Sequence, residues 1–174
     1  YIEGETLDQL LDRNTSLPPA QAIEIVRQAA HALGAAHDLS LVHRDVKPSN
    51  LLLGKDGSVR VMDFGIASET DRPDDRFCGT PLYSSPEQCR LLPLDPRTDV
   101  YSLGVVLYQM LSGSLPHIGN TPRSTIDHVL QVTPPPIEDL VSGLSPTLRS
   151  LVNCMTQPDR NRRLSDMDSV IDTI

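Results

Sequence analysis

Apolar residues recur along this chain with two periods, and the switches between them mark its elements. Ala22, Val26, Ala29 or Ala30, Leu33 and Ala36 return at steps of three and four, while Glu24, Arg27, Gln28 and His31 fall away from that stripe. The spacing predicts a long amphipathic helix, with Pro18-Pro19 in its first turn, where a missing N–H costs little. Before it, Thr6 caps a short helix over Leu7-Asp8-Gln9-Leu10-Leu11. The pattern then shortens. Leu51-Leu52-Leu53 and Val59-Arg60-Val61-Met62 flank Gly54-Lys55-Asp56-Gly57, which reads as two short strands joined by a tight turn whose Asp-Gly supplies a positive φ.

Downstream, Asp99 opens a segment in which Val100, Leu103, Val105, Val106, Leu107, Met110 and Leu111 leave almost no polar face before Ser112-Gly113 ends it. A helix apolar all round is a central buried one. Ser114 to Asn120 reads as loop, Thr125 to Val132 as a short helix and Pro134-Pro135-Pro136 as a rigid surface linker. Ser145-Pro146 begins a helix through Met155, with Leu148, Leu151, Val152 and Met155 on one face. Ser165 to Ile174 makes the last helix, and no internal repeat or second domain is visible. The fold class is therefore mainly α, with short β-hairpin elements.

With 174 residues, 39% of them hydrophobic, the chain can bury a core, and with 3% aromatics and no tryptophan that core must be aliphatic. The net charge of −8 argues against general binding of nucleic acid or anionic membranes. No stretch of 18 apolar residues occurs and no signal peptide opens the chain, so the segment is expected to be soluble, cytoplasmic and without membrane contact. The cytoplasmic part of a membrane-anchored protein is compatible with that. Cys78, Cys89 and Cys154 form no C-x-x-C pair and read as reduced thiols, with a disulfide or metal site as the alternative.

The chemistry concentrates at His43-Arg44-Asp45-Val46-Lys47-Pro48-Ser49-Asn50 and, across the hairpin, Asp63-Phe64-Gly65. A hairpin brings its ends together, so Asn50 and Asp63 are expected side by side, with Asp45 on the loop just before. Two carboxylates and an amide oxygen suit a hard divalent cation, and the nearby Lys47 suits a phosphate. That is a phosphoryl-transfer constellation.

H-R-D-V-K-P-S-N followed by D-F-G resembles the catalytic core of Hanks-type serine/threonine protein kinases. The resemblance continues through Gly79-Thr80-Pro81-Leu82-Tyr83-Ser84-Ser85-Pro86-Glu87 and Asp99-Val100-Tyr101-Ser102-Leu103-Gly104, and it spans residues 1–174 as the C-terminal lobe of such a domain. It implies Asp45 as the group that accepts the substrate hydroxyl's proton, Lys47 as a contact of the γ-phosphate of ATP, and Thr80 as a contact of both. Asn50 and Asp63 would hold Mg²⁺, and Leu52 would floor the adenine. Tyr1 to Gly4 would be the hinge between lobes, the Ile2 backbone meeting the adenine edge and Glu3 facing the ribose; an ordinary N-terminal strand is the other reading. His31 and His37 read as surface or packing histidines, and His43 as packing near Phe64.

Residues 63 to 87 would form the activation segment. Asp74 or Asp75 would pair with Arg44 in place of a phosphate, with a solvated acidic loop as the alternative, and Ser68 and Thr70 are acceptor candidates. Pro81, Leu82 and Tyr83 would shape the pocket for the residue after the phosphoacceptor. Glu87 expects a buried arginine: Arg162 by resemblance, with Arg163 competing because the stretch Pro158 to Arg162 is one residue longer than the spacing usual in the family. Asp99 would bind backbone amides of the catalytic loop. The implied function is transfer of the ATP γ-phosphate to Ser/Thr of protein substrates, with an ATP-clamping N-terminal lobe expected in the same polypeptide and little turnover without it. A kinase-derived scaffold or regulatory binding module without catalysis is the alternative, disfavoured because Asp45, Lys47, Asn50 and Asp63 are all present.

Overall fold

The computed structural model describes residues 3–64 and 80–174. The chain enters on β1 (Gly4–Thr6) and turns into α1 (Leu7–Asn14) and α2 (Pro19–His37). A 3₁₀ turn, Pro48–Asn50, leads into β2 (Leu51–Gly54) and β3 (Val59–Val61). After the 3₁₀ turn Pro81–Tyr83 come α3 (Pro86–Cys89), α4 (Arg97–Ser112), α5 (Pro122–Gln131), α6 (Ile137–Leu140), α7 (Pro146–Met155) and α8 (Met167–Thr173). None of the described helices is long and apolar enough to cross a membrane.

The all-apolar segment is the centre of the molecule, as its pattern requires. In α4, residues Thr98 to Tyr108 are buried on every face, with Leu103, Val106, Leu107 and Met110 fully shielded. Each such aliphatic side chain contributes about 1.5–3 kcal/mol. α2 packs on one side through Ala22, Val26, Ala29, Ala30 and Leu33, and α7 on the other through Leu148, Leu151, Val152 and Met155. The α4–α7 crossing is close at Gly104, where a Cβ would stand 2.6 Å from the Met155 Cβ. α8 closes the back of α2.

The expected hairpin is present, with Leu51 opposite Val61 and Leu53 opposite Val59. Its turn runs through Gly57 at φ +82° and is tightened by Asp56, whose Oδ1 accepts from the amide and hydroxyl of Ser58 at 3.0 and 2.6 Å. The N-terminal segment extends this sheet: β1 pairs antiparallel with β2, Thr6 opposite Leu52, giving the order β1-β2-β3. Thr6 then caps α1 in a reciprocal box with Gln9.

Helix starts differ from the sequence reading in three places: α4 begins at Arg97, two residues before Asp99, and the other two differ for a capping reason. α5 begins at Pro122 instead of Thr125, because the Thr121 hydroxyl accepts from Ser124 N at 3.1 Å. α8 begins at Met167, because Asp166 caps Ser169 N at 2.8 Å. The four-residue helices α3 and α6 are too short to carry a period and were not expected from the pattern.

Candidate active site

The loop from His43 to Lys47 has no regular hydrogen-bond ladder, so other elements must hold it. Asp99, fully buried in the first turn of α4, accepts His43 N–H on Oδ2 at 2.8 Å and Arg44 N–H on Oδ1 at 2.9 Å. These are the loop amides expected for Asp99. A third donor, His37 Nε2 at the end of α2, reaches Oδ2 at 2.8 Å; sequence reasoning took His37 for surface or packing only. Arg44 itself sits at φ +69°. For a non-glycine residue that costs about 1–3 kcal/mol and persists only where its surroundings fix it.

His43 joins the loop to the hairpin. Its Nδ1 accepts Asp45 N–H at 3.2 Å, which leaves the proton on Nε2 to be donated to Met62 C=O at 2.9 Å. Its ring packs tilted against Phe64, centroids 4.8 Å apart, as expected. Met62 N–H also donates to Asn50 C=O at 2.8 Å, so the strand end that carries Asp63 is tied to the loop that carries Asn50.

On this frame the polar side chains converge. Lys47 Nζ lies 2.6 Å from Asp45 Oδ2 and 3.0 Å from Thr80 Oγ1. Thr80 approaches Asp45 Oδ1 with both its amide and its hydroxyl, each at 3.3 Å. Asn50 Nδ2 donates to Asp45 C=O at 2.8 Å and to Oδ2 at 3.3 Å. Asn50 Oδ1 has no hydrogen-bond partner among the described residues. The Asp63 carboxylate is exposed and has no such partner among them either, on a backbone at φ +50°. Two hard side-chain oxygens, carried by backbone segments that the Met62–Asn50 bond ties together, suit a small divalent cation that keeps waters and takes its other ligands from phosphates.

Glu87 meets Arg163, the guanidinium donating to Oε1 at 2.7 Å and Oε2 at 3.1 Å. Arg162, offered first by resemblance, instead points outward, 4.0 Å from Asp159. The inward-facing position is thus the residue after the one that the resemblance offered first. Burial pushes the Glu87 carboxyl up, but the Arg163 hydrogen bonds and charge outweigh it and leave the group below its ordinary value. Arg163 also stacks over the Tyr101 ring, 5.0 Å from its centroid.

Of the remaining expected residues, Leu52 is half-buried in mid-strand, and Glu3 pairs with Lys55 Nζ at 2.7 Å beside the hairpin turn. Tyr83 is buried, its hydroxyl donating to Gln109 at 2.7 Å. Ile2, Ser68, Thr70, Asp74, Asp75 and Cys78 lie outside the described residues. Sequence reasoning missed Gln88, whose Nε2 donates to Arg44 C=O at 2.7 Å. Only its place three residues after Ser85, the signature of a capping box, marked it at all.

Comparison with known proteins agrees with this geometry. The family model described as protein kinase domain matches residues 1–173. The serine/threonine-protein kinase PknB of Mycobacterium leprae is 41% identical over 157 residues, covering 87% of this chain and 25% of that protein. The serine/threonine-protein kinase drp72 of Corynebacterium efficiens is 39% identical, covering 95% and 32%. PknL of Mycobacterium tuberculosis, also a serine/threonine-protein kinase by name, is 38% identical, covering 95% and 42%. The chain thus spans between a quarter and about two-fifths of the length of these relatives. With the polar residues of the His43–Asn50 loop held in one constellation and a family match along nearly its whole length, the chain belongs to the protein kinase domain family.

Proposed function

We propose that this chain carries the catalytic residues for transfer of the ATP γ-phosphoryl group to serine or threonine hydroxyls of protein substrates, in the cytoplasm. The observation that carries the reading is the Asp45–Lys47–Thr80 triangle. Among the described residues, Asp45 Oδ2 is committed to Lys47 and Asn50, whereas Oδ1 meets the long 3.3 Å contacts from Thr80. Oδ1 is therefore the oxygen open to a substrate hydroxyl. The hydroxyl oxygen attacks the γ-phosphorus as the bond to the β-phosphate oxygen breaks; its proton passes to Asp45, and ADP leaves.

Among the described residues, Lys47 uses two of its three N–H donors, on Asp45 and Thr80, and the third suits a transferring phosphoryl oxygen. Asn50 and Asp63 are the residues to hold Mg²⁺, which when bound neutralises phosphate charge and aligns the leaving group. Leu52, in mid-strand of β2, suits the adenine floor, and the Ile2 backbone and Glu3 remain the proposed contacts of adenine and ribose. Catalysis here is positioning plus charge neutralisation. Serine and threonine are favoured as acceptors by the K-P-S-N ending of the loop and by the names of the relatives.

The test is phosphotransfer from labelled ATP by the full-length gene product, with Asp45→Asn beside it. Loss of a positioned general base predicts a fall of about 10²–10⁴-fold in turnover. Equal labelling by the two proteins overturns the role given to Asp45, and no labelling by either favours a non-catalytic binding module.

A further inference from the structure

The peptide group between Arg44 and Asp45 is held at both of its polar ends. Its carbonyl oxygen, on Arg44, accepts from Gln88 Nε2 at 2.7 Å, and its N–H, on Asp45, donates to His43 Nδ1 at 3.2 Å. The preceding amide, Arg44 N–H, is held by Asp99. Arg44 sits between these anchors in the left-handed region, at φ +69°, where a residue with a Cβ does not rest unaided.

Gln88 is suited to this hold because both ends of its side-chain amide are used. Oε1 accepts Ser85 N–H at 3.0 Å, closing the cap of α3, and Nε2 faces the Arg44 carbonyl. Ser85 Oγ accepts Gln88 N–H at 3.3 Å in return. The residue is 4% exposed, so water does not compete for either contact. An Asp or Glu carboxylate here would oppose the carbonyl, and Asn is a methylene shorter. α3 follows directly on the 3₁₀ turn after Thr80, whose amide and hydroxyl contact Asp45. Gln88 therefore links the segment that touches Asp45 from outside to the backbone that carries Asp45 from within.

We propose that Gln88 is a positioning residue for the reaction: it fixes the Arg44–Asp45 peptide plane, and so the direction of the Asp45 carboxylate, without touching substrate. The consequence for rate rests on the phosphotransfer reading; the consequence for the loop does not.

The experiment compares the full-length protein with Gln88→Glu and Gln88→Leu. Hydrogen exchange at the His43–Val46 amides is expected to quicken at least about tenfold in both variants near pH 8. In Gln88→Glu, kcat is expected at least about tenfold below wild type near pH 8, with KM for ATP within about twofold. Near pH 6 it recovers to within about threefold. Burial raises the new carboxyl's pKa, and once protonated it again offers an O–H to the Arg44 carbonyl while its other oxygen accepts Ser85 N–H. A loss of packing alone would give the same deficit at both pH values. That result, unchanged exchange, or a wild-type kcat near pH 8 overturns the proposal. Should Gln88→Leu not fold, Gln88→Glu near pH 6 still carries the test. If the wild-type protein transfers no phosphate, the phosphotransfer reading fails, and exchange alone decides whether Gln88 holds the loop.

Discussion

His37 Nε2 stands 2.8 Å from Asp99 Oδ2, with both side chains withdrawn from solvent. The same oxygen accepts His43 N–H, so the last turn of α2 helps hold the carboxylate that holds the loop. The other ring nitrogen, Nδ1, is buried without a partner among the described residues. Replacement therefore has two opposed effects: a charge-assisted bond worth about 1.5–3 kcal/mol is lost, and an unsatisfied nitrogen costing about 1–3 kcal/mol is removed. His37→Phe, which also fills the space, is expected to destabilise by only about 1 kcal/mol. His37→Ala, which adds a cavity, is expected to cost about 2–3 kcal/mol. Urea unfolding of the two variants checks the order.

The Glu87–Arg163 pair separates two arginines that the sequence left in competition. Arg163→Ala strands a buried carboxylate that also accepts from Thr98 Oγ1 at 3.0 Å, and a loss of about 3–5 kcal/mol is expected. Arg162→Ala removes an exposed side chain 4.0 Å from Asp159 and is expected to shift stability by less than about 0.5 kcal/mol. Equal effects of the two substitutions would contradict the pairing.

What the sequence made legible was local. The stripe of α2, the all-round apolarity of α4 and the Asp-Gly turn are each written within one window of residues. Thr6 and Ser145 announced their helices because a cap is a contact over three positions. The unread part consists of contacts across long separations. His37 and Asp99 are 62 residues apart, and Gln88 and Arg44 are 44 apart; nothing in either neighbourhood encodes the meeting. Asp99 was legible only through the family resemblance. The choice of Arg163 over Arg162 turned on which side chain leaves the 3₁₀ turn Arg160–Arg162 facing inward, which no periodicity records.

Gly104 is a case where helix propensity and packing give opposite signs. Alanine in a helix interior is favoured over glycine by about 1 kcal/mol. At this site, though, the added Cβ would lie 2.6 Å from Met155 Cβ and 3.2 Å from Thr156 Cγ2. Overpacking of that kind costs about 1–3 kcal/mol, so Gly104→Ala is expected to destabilise. Combined with Met155→Gly, which takes away the Cβ that the new methyl would meet, it is expected to cost less than the sum of the two single substitutions. A double-mutant cycle by urea unfolding reads this coupling, and strict additivity would place the strain elsewhere.

His117 gives the fold a pH dependence of its own. It is buried just ahead of α5, and burial, followed by the positive charge of His128, pushes its pKa from 6.5 down to about 4. The unfolded chain thus binds a proton between pH 6.5 and 4 that the folded chain refuses. Stability rises with pH across that window and is lost as pH falls through it. A shift of this size corresponds to at most about 3 kcal/mol. Glu87, whose pKa is lowered, loses its contribution only as pH falls below its ordinary 4.5, so the interval from 6.5 to 4.5 reports chiefly on histidine. His117→Leu removes the titrating group while keeping an apolar side chain of similar bulk. Its urea midpoint is expected to change less between pH 6.5 and 4.5 than that of wild type. Parallel profiles for the two proteins would assign the acid sensitivity to other groups.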